Sequence, residues 1–308
     1  YASIGTLLVL ARWFDTRFTE WYGFVFWPVY WFAQGTLFWA LFVVGHDAGH
    51  GSFSNNALVN DLVGHLSHTP LLVPFHSWRL SHRKHHKFTG NVRHDESFIA
   101  VSETHYKRMW RIIHFFRYHA FAFGGWPMYL LFGMPLTYYS HFSPNAKVWR
   151  PKDKPLVIRS LVWWGLFVLF LIQLGRSIGW RSLFLIYGGP YFTFAGWIAI
   201  VTLLHHTHPD VPWYRNEEWR FMRGALSSVD RNYGIIEPIH HNIGTHVIHH
   251  LFMDIPHYHL VEATRAVKPF LGPFHRRSRL GVWASLVTVW RRCRFVNDSG
   301  NVVFYRAG

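Results

Sequence analysis

Two stretches of the chain, Tyr22 to Val44 and Ser182 to Leu204, run for 23 residues each without a charged side chain. As helices rising about 1.5 Å per residue, each is long enough to cross roughly 30 Å of hydrocarbon. A third stretch, Pro155 to Gly175, is interrupted only by Arg159 near one end, where the side chain can snorkel to the headgroups. The opening segment, Tyr1 to Ala11, is too short to cross alone and reads as the cut end of a first span. Only 15% of the residues are charged. A soluble domain carries about a quarter, so the composition argues against a water-soluble globule, and it excludes disorder.

The net charge of +15 invites a nucleic-acid reading, but the long uncharged stretches between the basic residues exclude a solvated binding face. The arginines and lysines instead report topology. His46 to Lys154 holds 13 of them and His205 to Gly308 another 13, whereas the short connections hold only Arg12 and Arg17, and Arg176 and Arg181. Two helical hairpins dipping in from the cytosolic side satisfy this asymmetry. The expected fold is therefore all-α and integral to the membrane. Four transmembrane helices form two hairpins, with a cytosolic helical cap, in one domain spanning residues 1–308 whose N-terminus is truncated.

Histidine is the residue out of proportion, with 24 copies, all of them on the expected cytosolic side. His46 and His50 in HDAGH are four apart, and His82, His85 and His86 in HRKHH are three and four apart. His246, His249 and His250 in HVIHH repeat that spacing. Residues three and four apart share a helix face, so each cluster presents its imidazoles together. With His206, just past the last span, as a ninth, the set overfills one ion and suits two. Imidazole is compatible with iron, copper, zinc and nickel, so spacing leaves the metal open. The single cysteine, Cys293, removes any disulfide framework or thiolate cluster. Haem would need ligands inside the spans. A metal transporter would need polar groups there, and the two uncharged stretches offer neither acids nor bases.

The stretches GHDAGHGSFSN (45–55), SHRKHHKFTGN (81–91) and HNIGTHVIHHLFMDIPHYHLVEATRAVKPFLG (241–272) resemble the three histidine boxes of the membrane fatty acid desaturases. The likeness continues through LLVPFHSWRLSH, HHTHPDVPWY and RGALSSVDRNYGI, in order and spacing from Gly45 to Gly272. It is nearest to the methyl-end subgroup, the omega-3 and delta-12 enzymes, and THVIHHLF and IPHYHLVEAT lean toward omega-3. Ala48 stands where the family usually has a cysteine, which is not a ligand.

The resemblance implies an oxygen-dependent acyl desaturase that places a cis double bond in an unsaturated C18-type chain, with linoleate to α-linolenate as the leading case. It also implies two non-haem iron ions held by His46, His50, His82, His85, His86, His206, His246, His249 and His250, with O2 as oxidant. Chemistry agrees, because side-chain acids and bases cannot remove hydrogen from an unactivated methylene. A delta-12 desaturase and a related acyl hydroxylase are the alternatives, and a non-catalytic metal transporter is a distant one. The family draws electrons from cytochrome b5 in the endoplasmic reticulum or ferredoxin in plastids. The chain encodes no donor of its own, having neither a dinucleotide fingerprint nor a cysteine set. The endoplasmic reticulum is the expected location, with a plastid membrane as the other placement.

Around the boxes, Asp47, Asp95, Glu96 and Asp230 are candidates to accept an imidazole N–H, or else are solvated carboxylates. Asn242, one turn before His246 if that stretch is helical, is a candidate to hold a water. His65, His68 and His76 read as packing residues, and His205, His208, His240, His241, His257 and His259 as neighbours of the site. The arginines at 276, 277 and 279 and at 291, 292 and 294 read as headgroup anchors or a docking face for an acidic electron donor. Trp163, Trp164, Gly196 and Trp197 are candidates to line an acyl channel, with plain helix packing as the simpler role.

Overall fold

The computed structural model describes residues 1–17, 22–115, 121–134 and 139–308. It is mostly helical, and the long helices come first. α1 (Ala2–Arg17) and α2 (Gly23–His50) are followed by α3 (Ala57–His68), α4 (Phe75–Phe88), α5 (Glu103–Arg108), α6 (Arg111–Phe115) and α7 (Phe121–Phe132). A second long pair comprises α8 (Lys154–Ile178) and the run α9 (Trp180–Leu183), a π turn (Phe184–Gly188) and α10 (Gly189–His206). Short helices α11 (Phe221–Ala225), α12 (His246–Leu251), α13 (Leu260–Leu271) and α14 (Val282–Arg292) complete the helical part.

Among the described residues, three helical stretches, Gly23–His50, Pro151–Ile178 and Trp180–His206, are long and apolar enough to cross a membrane. α1 runs past Ala11 to Arg17 but is not among them. The connection at residues 18–21, where the first expected hairpin turns, and His119 lie outside the described residues. Only 11% of the apolar window of α8 is covered by protein. Its exposed Ile158, Val162, Leu166, Leu169 and Phe170 recur every one to four residues along one side, a surface suited to lipid.

α2 and α10 approach closely because glycine stands at their crossing. A Cβ on Gly35 would fall 2.4 Å from Thr193 Cβ, and one on Gly189 would fall 2.3 Å from the Trp31 ring. The π turn leaves carbonyls that apolar surroundings cannot satisfy, and α2 supplies the donors. The Tyr30 hydroxyl donates to Ile186 O at 2.6 Å and Trp31 Nε1 to Leu185 O at 2.8 Å. The ends of the two long pairs are pinned together by buried Asp15, which accepts from Arg12 and Arg181 at 3.2 Å each. The main core, with Trp39, Phe42, Trp78, Trp126, Phe194 and Ile198, draws on α2, α4, α7 and α10.

Strands are few and short. β1 (Trp213–Tyr214) pairs antiparallel with β3 (Val302–Val303), and β2 (Phe295–Val296) with β4 (Tyr305–Arg306). They fasten the C-terminal segment and α14 against Leu204 at the end of α10. The last carbonyls of α10 have no helical partner, and the buried Arg231 guanidinium takes them, donating to Leu204 O at 2.6 Å and Thr207 O at 3.3 Å. This contact fixes the end of the helix that carries His206.

Candidate metal centre

All three histidine clusters lie on helices, as their spacing requires. His46 and His50 occupy the last turns of α2, which Gly51 ends with a left-handed φ of 89°. His82, His85 and His86 lie on α4, and His246, His249 and His250 on α12. α12 begins where the Val247 N–H donates to Asp230 Oδ1 at 2.8 Å, a carboxylate placed at a helix start.

The structure brings all nine histidines together. His46, His50, His82, His86 and His249 form one group, and His85, His206 and His250 another, each with ligand atoms within 4.8 Å of one another. His246 joins the second, its Nε2 lying 3.0 Å from Nε2 of both His206 and His250. His85 Nε2 is 3.2 Å from His206 Nε2, His82 Nε2 is 3.1 Å from His86 Nε2, and His46 Nε2 is 3.3 Å from His50 Nε2. Burial, followed by repulsion from neighbouring rings, holds His82, His86, His246, His249 and His250 well below their usual pKa, so they are neutral.

The outward nitrogens say which way the lone pairs point. His85 Nδ1–H donates to Asp95 Oδ1 at 2.7 Å, and His250 Nδ1–H to Thr89 Oγ1 at 3.1 Å, the Thr89 hydroxyl being spent on His85 O at 2.6 Å. His46 Nδ1–H faces Asp47 Oδ1 at a longer 3.4 Å. With Nδ1 protonated, each of these rings turns an Nε2 lone pair inward. Facing lone pairs repel, and the few shared N–H bonds available cannot satisfy them all. A cation can, so the donor set fits a metal pair.

The carboxylates sort differently from one another. Asp95 and Asp47 face box histidines, and Asp47 Oδ2 also accepts from His257 Nδ1 at 2.7 Å. Glu96 pairs with Lys84 at 2.7 Å, and Asp230 with His275 at 2.7 Å, so neither accepts from a box histidine. Asn242 sits in a turn with φ 57°, before the start of α12, and is not on that helix. His205 stacks on His246 at 4.2 Å with both nitrogens in use, Nδ1 to Val229 O at 2.6 Å and Nε2 to the Tyr233 hydroxyl at 3.1 Å. It props the His246 ring and has no lone pair to offer. The tilted rings of His241 and His257 lie 4.4 Å apart, His208 faces Asp210, and His240 packs on Trp197. His259 is more than half exposed beside Glu262.

His68 packs as expected, stacked on Phe42 with Nε2 against Phe42 O at 3.1 Å. His65 and His76 gather around Asp61, where the Arg159 guanidinium lies 2.7 Å from both Asp61 Oδ1 and His76 Nε2. A fixed cation therefore already occupies that cluster. Thr89 and Arg231 carry no sequence signal of their roles, which depend on where α4 and α10 end.

An apolar cavity of about 120 Å³ opens onto the centre. His46, His82, His85, His206 and His246 meet Trp39, Phe42, Trp78 and Trp126 on its walls. Trp163, Trp164, Gly196 and Trp197 are not among its lining residues. Trp164 instead ties α8 to the turn between α3 and α4, donating to Leu72 O at 3.1 Å, and Trp197 ties α10 to α2, donating to Thr36 Oγ1 at 3.0 Å.

Comparison with known proteins bears on this geometry. The model of the family described as "Fatty acid desaturase" matches residues 24–280. The chain is 47% identical to an "sn-1 acyl-lipid omega-3 desaturase (ferredoxin)" of Nostoc sp. (strain 36), over 98% of this chain and 82% of the relative. It is 45% identical to a protein of the same name from Synechocystis sp., over 99% and 82%. An "Acyl-lipid omega-3 desaturase (cytochrome b5), endoplasmic reticulum" of Arabidopsis thaliana is 42% identical, over 98% of this chain and 79% of the relative.

Proposed function

The chain belongs to the fatty acid desaturase family, and from that premise we propose that it is an omega-3 desaturase acting on lipid-bound, already unsaturated acyl chains. The single observation that carries the reading is a set of convergent imidazoles on the wall of an apolar cavity. A methylene chain suits such a cavity, because hydrocarbon gains from leaving water and most of the wall is apolar.

In this reading His46, His50, His82, His86 and His249 hold one iron ion, and His85, His206, His246 and His250 the other. Bound there, an iron pair supplies the O2-dependent oxidation that an unactivated methylene demands. The protein's own part is orientation and exclusion. Asp95, Asp47 and Thr89 fix three of the rings, His205 props a fourth, and the indoles of Trp39, Trp78 and Trp126 keep water from the reacting carbons.

Four spans in two hairpins, with α1 completing the first, place both arginine-rich regions and the centre on one side of the membrane. One domain carries the whole activity. Electrons come from a separate protein, and ferredoxin is favoured over cytochrome b5 because ferredoxin-named relatives at 45–47% identity exceed the cytochrome b5 relative at 42%. A plastid membrane fits that donor better than the endoplasmic reticulum. The basic surface of arginines 276, 277 and 279 suits an acidic donor of this kind.

The test is expression in cells lacking the activity, supplied with linoleate or oleate, followed by mass spectrometry of the lipids. A new double bond three carbons from the methyl end of linoleate is the expected result. A double bond formed only in oleate, an added oxygen, or unchanged lipids would each contradict it.

A further inference from the structure

A polar groove of about 660 Å³, lined in part by Lys84, Glu96, Tyr139, Ser140 and Lys147, lies next to the candidate metal centre. Chain neighbours tie the two together, since Lys84 precedes His85 and Glu96 follows Asp95. Hydroxyls lead from this groove to the apolar cavity. Ser97 Oγ and Tyr129 Oη are 3.3 Å apart, and Tyr129 Oη is 3.0 Å from Ser81 Oγ, which contacts His141 Nε2 at 3.1 Å. Ser97 and Tyr129 line the cavity together with His82 and His85. At the other end, the Tyr139 hydroxyl lies among Glu96, Tyr129 and Ser81.

The junction between groove and chain of hydroxyls carries two unspent atoms. Glu96 Oε1 and the Tyr139 hydroxyl are buried with no hydrogen-bond partner, although Glu96 Oε2 holds Lys84. Buried polar groups are rarely left unpaired, and a bridging water or a small rotation between these two would close the path. Among the described residues lining the cavity, the remaining hydroxyl, that of Thr202, is spent on its own helix, donating to Ile198 O at 2.6 Å.

Resting on the desaturase reading, the chemistry needs such a path. The balanced reaction is –CH2–CH2– + O2 + 2 e⁻ + 2 H⁺ → –CH=CH– + 2 H2O. The acyl chain gives up two hydrogen atoms, a one-electron protein donor supplies the electrons, and the two protons come from solvent. Indoles and phenyl rings conduct none of them. A hydroxyl both donates and accepts, so a row of them passes a proton by exchanging hydrogen bonds.

We propose that Glu96, Tyr139, Ser81, Tyr129 and Ser97 form the route by which protons travel from the polar groove to the cavity at the metal centre. Glu96 collects the proton at the groove, and Tyr129 and Ser97 deliver it. None of the five is a ligand, so the path is separable from metal binding.

The experiment uses iron-loaded full-length protein in lipid nanodiscs, with Glu96→Gln and Tyr129→Phe as variants and Ser97→Ala as a third should either fail to fold. Proton uptake is followed with a pH indicator when the reduced protein meets O2 without acyl substrate. Iron content and the solvent deuterium isotope effect on desaturation are measured alongside. The expected result is uptake slowed by at least about tenfold with iron content unchanged, and a larger isotope effect. Uptake equal to wild type in the variants, or slowing that only follows lost iron, would overturn the proposal. Failure of the desaturase reading is distinguishable, because iron-loaded wild type would then form no double bond whatever the variants do.

Discussion

Replacing Asp95 with asparagine changes one atom's chemistry at a buried site with four hydrogen bonds. Oδ1 accepts from His85 Nδ1 at 2.7 Å and from the backbone N–H of Ser97 and Phe98 at 3.2 and 3.1 Å, while Oδ2 accepts from the Gly90 N–H at 3.1 Å. In Asp95→Asn the amide oxygen keeps the first set, and its NH2 then faces the Gly90 N–H, donor against donor. Gly90 has a left-handed φ of 71° and its added Cβ would meet Ser227 at 2.9 Å, so that turn is not free to move away.

An unsatisfied buried N–H costs about 1–3 kcal/mol, and the bond to His85 loses its charge assistance. The His85 ring is then less firmly held. Changes to such partners lower metal affinity about 10–100-fold, which is roughly 1.4–2.7 kcal/mol. Competition of iron-loaded protein against a graded chelator, with iron counted after gel filtration, measures the loss. Asp210→Asn is the control, since its carboxylate is largely exposed beside His208. Affinity in Asp95→Asn equal to that of the control would refute the reasoning that Asp95 orients a ligand.

His205→Gln is expected to keep its iron while His206→Ala loses it, measured as metal per chain, because only His206 has an inward-facing nitrogen to give. Gly35→Leu is expected to destabilise the helix crossing by about 1–3 kcal/mol in detergent melting, since even a Cβ lies 2.4 Å from Thr193. Burial pushes His141 down to about 3 from an ordinary 6.5, so the unfolded chain takes up a proton that the fold refuses. Its contribution is present above pH 6.5 and is lost as pH falls toward 3, at about 1.4 kcal/mol per pH unit, and the acid-unfolding slope of His141→Gln should be shallower by that amount.

The parts of this architecture that are local in sequence could be read from it. Uncharged runs of span length became α2 and the α9–α10 stretch, and imidazoles three and four apart landed on shared helix faces. The apolar opening stretch ends at Ala11, yet α1 continues to Arg17, and its Phe14 packs on the start of α2. The cavity was not legible, because Trp39, Trp78 and Trp126 come from three separate helices and meet only after folding. Neither was the partner of Asp230, which lies near the third box in sequence but is claimed by His275 and the Val247 N–H. Arg231 is invisible for the same reason. A buried guanidinium on helix-end carbonyls looks, in sequence, like any other loop arginine.

The central claim is that nine imidazoles from four helices enclose a pair of metal ions. Iron K-edge X-ray absorption on the purified, iron-loaded protein, combined with iron counting per chain, tests it directly. The account predicts about two irons per chain with the strong multiple-scattering pattern of imidazole ligands and no sulfur neighbour. A single iron, or scattering dominated by oxygen or sulfur, would contradict it.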